Sequence, residues 1–265
     1  MSRTDKQRSA LGAALLSIGA AAIPLVAGVG LTLKLSDHAL NEENVRIGQA
    51  AVEHMDKILS AASDTADVLS PMAGKRCQTV LSAMRRAVAQ APWVRSASYA
   101  HKNVPYCNTV SGSLGSARAP VAVAGPFDYQ TLELQRPDAM SEGFGSLLLI
   151  KGNAQYSLTV RIDNRVITEQ LELISGSADV ALHVAGTYLW DDGSVLRGEL
   201  RQNPRYRVLV PSTQFSYAIH SSLSGEDVLN LITRKLLLIL GPVMMLSIFS
   251  GGLCHWLISR PERRK

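Results

Sequence analysis

Two apolar runs near the ends of the chain most constrain what this sequence can fold into. They are residues 10–33, ALGAALLSIGAAAIPLVAGVGLTL, and residues 236–258, LLLILGPVMMLSIFSGGLCHWLI, and neither contains Asp, Glu, Lys or Arg. As helices, the 24 and 23 residues would each extend about 35 Å, more than the ~30 Å hydrocarbon core of a bilayer. We therefore predict two transmembrane helices, because a helix satisfies its own backbone hydrogen bonds inside lipid.

The charged flanks orient these two helices. Residues 1–9 and 259–265 carry seven basic and two acidic side chains, so the tails account for the whole net charge of +5. Lys and Arg are enriched on the cytoplasmic side, which predicts that both tails are cytoplasmic and that residues 34–235 are translocated. The basic character of the chain thus reflects membrane topology, and no nucleic-acid partner is expected.

A cleaved signal peptide is the alternative interpretation of the first run, because the small residues 20–22 suit a signal peptidase. The run continues for 11 residues beyond Ala22 and leads into a helical pattern, which favours an uncleaved anchor. In both cases the middle of the chain is translocated, which in a bacterial-type envelope means into an oxidising compartment.

The position of each cysteine relative to this compartment decides the chemistry that we expect of it. Cys254 lies inside the second run and is interpreted as a small packing residue, whereas Cys77 and Cys107 lie in the translocated segment. Taken alone, the stretch VPYCNTVSG at 104–112 leaves Cys107 as a buried small residue, half of a disulfide or a reactive thiol. Two cysteines allow one intramolecular pairing if a disulfide forms at all. Such a pairing would stabilise the domain by about 3–4 kcal/mol in the chain-entropy treatment.

Basic residues near Cys77 suggest one route to reactivity. They are Lys75, Arg76, Arg85, Arg86 and Arg95. Neighbouring cations lower the pKa of a thiol and favour thiolate attack on another disulfide. A solvated helix face explains the same residues without chemistry, and it is the favoured interpretation.

Residues 36–69 have the pattern of one long helix that continues the first span. Ser36 or Asp37 is a candidate N-cap, and the helix is expected to end before Pro71. Apolar residues at steps of three and four predict its buried face: Ile47, Ala51, Met55, Ile58, Ala62, Ala66 and Leu69.

A second helix is predicted at 74–90, with Cys77 near its start and Val80, Met84 and Ala87 or Val88 on its inner face. The following stretches, WVRSASYAHK and VPYCNT, are rich in β-branched and aromatic residues and indicate a hairpin with Cys107 on its second strand. The remaining predicted elements are strands at 120–124, 129–134, 145–151, 156–162, 178–190, 206–210 and 214–220, a helix at 164–174, turns at KGNA (151–154) and WDDGS (190–194), and an exit helix capped by Ser224.

The sequence contains no catalytic constellation that we can identify. Gly-rich phosphate loops, His-x-x-x-His pairs and Cys-x-x-Cys motifs are missing, and the histidines have no metal-ligand spacing. We therefore expect no cofactor and no metal. The predicted fold class is α+β, with a long N-terminal helix and an antiparallel sheet of five or more strands between two transmembrane helices. This layout resembles the PAS/Cache-like periplasmic sensory domains of bacterial membrane receptors.

The residues around the two cysteines resemble a known family. A cysteine near a helix start, then WVRSASYAH and YCNTVSG, between two spans, is similar to the periplasmic CSS-motif domain of bacterial EAL-type cyclic-di-GMP phosphodiesterases. The resemblance implies that Cys77 and Cys107 form a disulfide, made by the periplasmic disulfide-forming machinery, that holds an attached phosphodiesterase in check.

The chain departs from this family in two places. Asn108 and Thr109 stand where the family has two serines, so roles specific to those serines are not carried over. Only residues 259–265 follow the second span, where the family has a catalytic EAL domain, so we expect no hydrolysis of cyclic-di-GMP by this polypeptide.

Together these observations predict an inner-membrane, redox-responsive sensor that is not an enzyme. Its disulfide state would be relayed to an EAL-domain phosphodiesterase or another membrane protein in trans, and small residues in the spans would suit helix pairing, including a homodimer. One alternative is a truncated remnant or separated sensory half of a phosphodiesterase, and another is a structural envelope protein with a purely stabilising disulfide. A thiol–disulfide oxidoreductase is least favoured, because the cysteines are distant and lack a redox motif.

Overall fold

The computed structural model describes residues 3–114, 125–137, 145–176, 178–198, 205–223 and 225–259. Its fold is α+β, with a long N-terminal helix and antiparallel strands, as the sequence predicts. The helices are α1 (Arg3–Leu69), α2 (Cys77–Gln90), α3 (Asn164–Ser175) and α4 (Gly225–Ser259). The strands are β1 (Val94–His101), β2 (Val104–Asn108), β3 (Gly112–Ser113), β4 (Tyr129–Gln135), β5 (Ser146–Gly152), β6 (Tyr156–Asp163), β7 (Ala178–Val184), β8 (Thr187–Trp190), β9 (Val195–Arg197), β10 (Arg205–Pro211) and β11 (Ala218–Leu223).

The strands form two antiparallel sheets, whereas the sequence predicted one. Sheet A has the order β3-β2-β1-β6-β5-β4, and sheet B has the order β10-β11-β7-β8-β9. The helix α3 follows β6 and separates the two sheets along the chain. The Asp163 side chain caps α3 by accepting a hydrogen bond from the Arg165 backbone N–H, which ends β6 and starts the helix.

Helix α1 is continuous through Ser36 and Asp37, so neither residue caps it and that part of the prediction is wrong. Its apolar face is predicted correctly, since all seven residues assigned to it are buried. A 3-10 turn at Ser70–Met72, with Pro71 inside it, ends the helix at Leu69.

The chain divides into two compact units, Glu43–Ser224 and the pair of segments Met1–Glu42 and Gly225–Lys265. In the first of these, α1 contacts both sheets. The Asp67 carboxylate lies 2.7 Å from Nζ of Lys151 on β5 of sheet A. The Asp56 carboxylate accepts hydrogen bonds from the hydroxyls of Ser212 (2.8 Å) and Tyr217 (2.7 Å), which flank the loop between β10 and β11 of sheet B. One helix therefore ties the two sheets together.

The other unit contains two helical stretches that are long and apolar enough to cross a membrane, by length and composition. Within it, a Cβ added to Gly28 of α1 would lie 3.0 Å from both methyl groups of Val243 on α4. The Ser250 hydroxyl of α4 donates a hydrogen bond to the Ala20 carbonyl of α1 at 3.1 Å. Small residues thus bring these two helices together, which is a common feature of helix pairs in membranes.

Several element boundaries differ from the sequence prediction. Helix α2 begins at Cys77 and not at residue 74, because Gly74 adopts a positive φ of 82° in the preceding turn. Residues 178–190 form two strands joined at Ala185–Gly186, and the last strand covers 218–223. At the predicted KGNA turn, the Asn153 side chain accepts hydrogen bonds from the N–H groups of Gln155 and Tyr156. The predicted strand at 120–124 and the predicted cap Ser224 lie outside the described residues.

Candidate functional site

Cys77 and Cys107 form a disulfide between a helix and a sheet. Cys77 is the first residue of α2, and Cys107 lies on β2 of sheet A. Their Cα atoms are 5.2 Å apart, within the range that a disulfide spans. The exposed fraction is 4% for Cys77 and 0% for Cys107, so the sulfur atoms are shielded from solvent.

Other contacts hold α2 against β2 near this bond. Cys77, Val80 and Met84 share the buried face of α2, and Met84 Sδ lies 3.8 Å from Cys107 Sγ. One residue further on, Arg85 Nε donates a hydrogen bond to the Thr109 carbonyl at 2.8 Å. We call the set Cys77, Met84, Arg85, Cys107 and Thr109 the disulfide corner. The corner fixes α2 to β2 both at the start of the helix and two turns later.

A β-bulge in β2 sets the direction of the side chain next to Cys107. Tyr99 pairs with Cys107 and Ala100 pairs with Pro105, so Tyr106 is an extra residue in β2. Because of the bulge, the neighbouring residues Tyr106 and Cys107 are both buried. The Tyr106 ring stacks on the Tyr99 ring, with centroids 6.0 Å apart and an angle of 16° between the ring planes.

This tyrosine pair, Tyr99 and Tyr106, connects the disulfide corner to the end of α1. The Tyr99 hydroxyl donates a hydrogen bond to the carbonyl of Leu69, the last residue of α1, at 2.6 Å. The Gly74 backbone N–H donates to the Tyr106 hydroxyl oxygen at 2.9 Å. Burial raises the pKa of both phenols, so both keep their protons over the whole physiological range.

The two residues after Cys107 each make a specific hydrogen bond. Asn108 Oδ1 accepts from the Val110 backbone N–H at 2.8 Å, which is an Asx turn. Thr109 Oγ1 accepts from the Ala97 N–H at 3.1 Å, and the Thr109 N–H donates to the Ala97 carbonyl at 3.0 Å. Thr109 therefore extends the pairing of β2 with β1 beyond the end of the strand.

Serine side chains can make the same two hydrogen bonds, which leads to a testable prediction for this triplet. The double substitution Asn108→Ser, Thr109→Ser is expected to change the free energy of unfolding by less than about 1 kcal/mol. Thr109→Val keeps the shape but leaves the buried Ala97 N–H without its acceptor, at an expected cost of about 1–3 kcal/mol. Denaturant unfolding of the full-length chain in detergent micelles measures both. If the valine variant matched the wild type, the Thr109 hydroxyl would have no structural role.

The five basic residues near Cys77 in the sequence have different environments in the structure. Arg85 is bound to the Thr109 carbonyl, and Arg95 on β1 forms an ion pair with Asp163. Lys75, Arg76 and Arg86 are exposed to solvent. Among the described residues there is no group of three or more His, Cys, Asp or Glu side chains that could hold a metal ion.

Sequence reasoning identified the cysteines but missed the tyrosine pair. Both tyrosines stand in the stretches that were singled out, one in WVRSASYAH and one directly before Cys107. The sequence does not reveal the bulge in β2 at Tyr106. In a regular strand adjacent residues point to opposite faces. A tyrosine next to a buried cysteine would then have been assigned to the solvent side.

Comparison with known proteins gives one family match. The family described as "CSS motif domain associated with EAL" matches residues 41–234, which is more than half of the chain and contains the disulfide corner. No curated protein matches the sequence.

Two solved structures are similar in fold. One is the extracellular domain of a protein described as a histidine kinase, soHK1S-Z6, with a TM-score of 0.46 and 10% identity, covering 75% of this chain and 98% of that chain. The other is the periplasmic domain of RsbU from Chlamydia trachomatis, with a TM-score of 0.46 and 12% identity, covering 76% of this chain and 96% of that chain.

Proposed function

This chain belongs to the family of CSS-motif domains associated with EAL, and from that premise we propose that it is an inner-membrane sensor whose Cys77–Cys107 disulfide regulates cyclic-di-GMP signalling. In this proposal the sensory domain, residues 34–235, faces the periplasm and both tails lie in the cytoplasm. The basic residues beside the apolar helices at 10–33 and 236–258 support this orientation. The chain itself senses and does not catalyse. Its output reaches an EAL-domain phosphodiesterase or another membrane protein in trans.

The observation that carries this proposal is the position of the disulfide beside the tyrosine pair. The bond lies on the strand that pairs with Tyr99, and the Tyr99 hydroxyl binds the last carbonyl of α1. Helix α1 is continuous from Arg3 to Leu69, so it joins the first candidate span to this contact without a break. A change at the disulfide corner therefore has a direct covalent and hydrogen-bonded route to α1.

The redox step transfers two electrons and two protons. On oxidation, the Cys77 and Cys107 thiols lose two protons and two electrons to a disulfide of the periplasmic disulfide-forming machinery, which becomes a dithiol. On reduction, a dithiol protein returns them and is itself oxidised. In the reduced state the start of α2 loses its covalent link to β2, and Gly74, three residues before Cys77, is freer to leave the Tyr106 hydroxyl.

The first test follows the hydrogen exchange of α1 in the full-length chain in lipid nanodiscs. Reduction is expected to lower the protection of the last three turns of α1 in the wild type. In the double variant Tyr99→Phe, Tyr106→Phe, which keeps both rings but lacks both hydroxyls, oxidised protein should already show this lower protection, by about 5- to 30-fold per lost hydrogen bond. Tyr188→Phe on β8 of sheet B is the matched control. If reduction left α1 unchanged, the proposed relay would be wrong.

The second test is made in cells. Cys77→Ser and Cys107→Ser should change cellular cyclic-di-GMP to the same extent as each other, because either substitution removes the same bond. Cys254→Ser on α4 is the control and should leave the level unchanged. Equal cyclic-di-GMP levels in all four strains would exclude the regulatory role.

A purely structural disulfide is the second candidate function, and the burial of both sulfurs favours it. The distinction can be made by thiol trapping in living cells. A regulatory disulfide is partly reduced when the disulfide-forming machinery is inactivated after the protein has folded. A structural disulfide stays closed in protein that was folded before the inactivation.

A further inference from the structure

His220 is a buried histidine in the middle of sheet B. It lies on β11, pairs with Ala181 of β7 and Leu209 of β10, and is 1% exposed. Neither of its ring nitrogens has a hydrogen-bond partner in the part of the chain that the structure describes. Buried imidazole nitrogens are normally bonded, so this arrangement is unusual for a residue whose only role is packing.

Aromatic rings enclose this imidazole. The Trp190 ring on β8 meets it edge-on, with centroids 5.8 Å apart, and the Tyr188 ring does so at 6.2 Å. Tyr188 in turn stacks on His183 of β7, with centroids 4.4 Å apart. The surroundings are thus apolar and aromatic, which suits the neutral form of the imidazole and not the imidazolium ion.

The charged groups around His220 also disfavour its protonation. Arg207 on β10 and His183 on β7 both act to lower the pKa of His220, in addition to the larger effect of burial, and together they bring it to about 4. Two acidic residues near these strands are Asp179 on β7 and Asp191, directly after β8. Asp179 pairs with Ser222, two residues further along β11, and the Asp191 carboxylate is oriented towards the Val180 N–H at 3.5 Å. Neither carboxylate forms an ion pair with His220.

We propose that His220 is an acid sensor: when the surroundings of the domain acidify, His220 takes up a proton and sheet B opens at β11. Among the described residues neither ring nitrogen has a hydrogen-bond acceptor, so the imidazolium ion is stable only once β11 has moved and water reaches the ring. This inference concerns sheet B and does not depend on the disulfide in sheet A.

An opening at β11 affects α1 and α4, because β11 contacts α1 and leads into α4. The neighbouring residue Ser221 is hydrogen-bonded to Asn44 of α1. Four residues after Ser221, at Gly225, α4 begins. Opening at β11 thus acts on the chain segments that lead to both candidate spans. Acid and redox state would be two separate inputs to the same pair of helices.

Proton linkage gives the expected change in the ratio of open to closed molecules with pH. In the open state the imidazole has its ordinary pKa of 6.5, and in the closed state about 4, so acid favours the open state below pH 6.5. Stability due to the neutral His220 is complete above pH 6.5 and is lost as the pH falls towards 4. Between pH 7.5 and pH 5 the ratio of open to closed molecules is expected to rise about 30-fold.

The test measures amide exchange of the full-length, oxidised chain in lipid nanodiscs at pH 7.5 and pH 5, as protection factors corrected for intrinsic exchange. We expect protection in β10, β11 and β7 to fall about 30-fold at pH 5, while β5 and β6 of sheet A do not change. His220→Gln should remove the pH dependence. His101→Gln is the matched control, since His101 also lies on a strand and contacts a tyrosine ring, and it should retain the pH dependence.

Two results would overturn the proposal: protection in β11 that is equal at both pH values in the wild type, or a pH dependence that persists in His220→Gln. If the glutamine variant does not fold, the wild type labelled with [13Cε1]-histidine provides the answer by NMR. A His220 resonance that stays neutral in closed molecules at pH 5, with an open-state signal that grows on acidification, supports the sensor. A resonance that titrates near pH 6.5 in closed molecules contradicts it.

Discussion

Replacing both Cys77 and Cys107 by serine is expected to lower the free energy of unfolding by about 3.5 kcal/mol, because the bond closes a loop with a sequence separation of 30 residues. For a domain of this size the loss corresponds to a decrease of roughly 10 °C in the unfolding temperature. The protein is expected to remain folded, since sheet B and the contacts that α1 makes with sheet B do not involve the disulfide.

Calorimetry of the full-length chain in detergent micelles measures this loss. Wild-type protein treated with a phosphine reductant should unfold at the temperature of the double serine variant, because both lack the same cross-link. Cys254→Ser, which lies on α4, is the matched control and should be within about 0.5 kcal/mol of the wild type. A double variant as stable as the wild type would mean that the loop is ordered without the bond.

The second large effect is expected at Asn44, a fully buried polar residue on α1. Its Nδ2 donates to the carbonyls of Tyr206 and of Ser221, the latter at 3.2 Å, and its Oδ1 accepts from the Ser221 hydroxyl. Asn44→Leu removes these bonds and leaves the Ser221 hydroxyl buried without a partner. We expect a loss of about 3 kcal/mol in the free energy of unfolding.

A double-mutant cycle separates the cost of the lost hydrogen bonds from the cost of leaving the Ser221 hydroxyl buried without a partner. Adding Ser221→Ala to Asn44→Leu should recover part of it, because the orphaned hydroxyl is then gone and the contact becomes apolar on both sides. Asn41→Leu, at an exposed position of the same helix, is the matched control and should change stability by less than about 0.5 kcal/mol. If the double variant were less stable than Asn44→Leu, the hydroxyl would not be the source of the cost.

Local patterns in the sequence predicted the parts of the fold that depend on neighbouring residues. The apolar face of α1 was predicted in full because i, i+3 and i+4 positions share one side of a helix. The β1–β2 hairpin was predicted from the β-branched and aromatic residues of its strands. In the structure a two-residue turn joins these strands, and both of its residues, Lys102 and Asn103, have positive φ. These features need no knowledge of distant partners.

The division into two sheets could not be predicted, because strand pairing is non-local. Strand β1 pairs with β6, and β11 pairs with β7, across intervening elements that give no sign of it in the sequence. Buried polar residues were missed for a related reason. In the sequence, Asn44 stands among charged residues and looks solvent-exposed, and His220 stands between an apolar residue and serines. The packing of α1 against β11 buries Asn44, and the pairing of β11 with β7 and β10 places His220 inside sheet B.

The burial of the disulfide has a consequence for when the bond can form. Residues 77–107 precede β4 to β11 in the chain, so during synthesis both cysteines emerge before most of the sheet residues exist. At that stage they are accessible to an oxidant, whereas in the finished fold Cys107 has no solvent-exposed surface. In the folded protein, a change of oxidation state therefore requires that α2 first separates from β2 and uncovers the two sulfur atoms. The rate at which this helix and strand separate would limit how fast the protein follows a change in redox conditions.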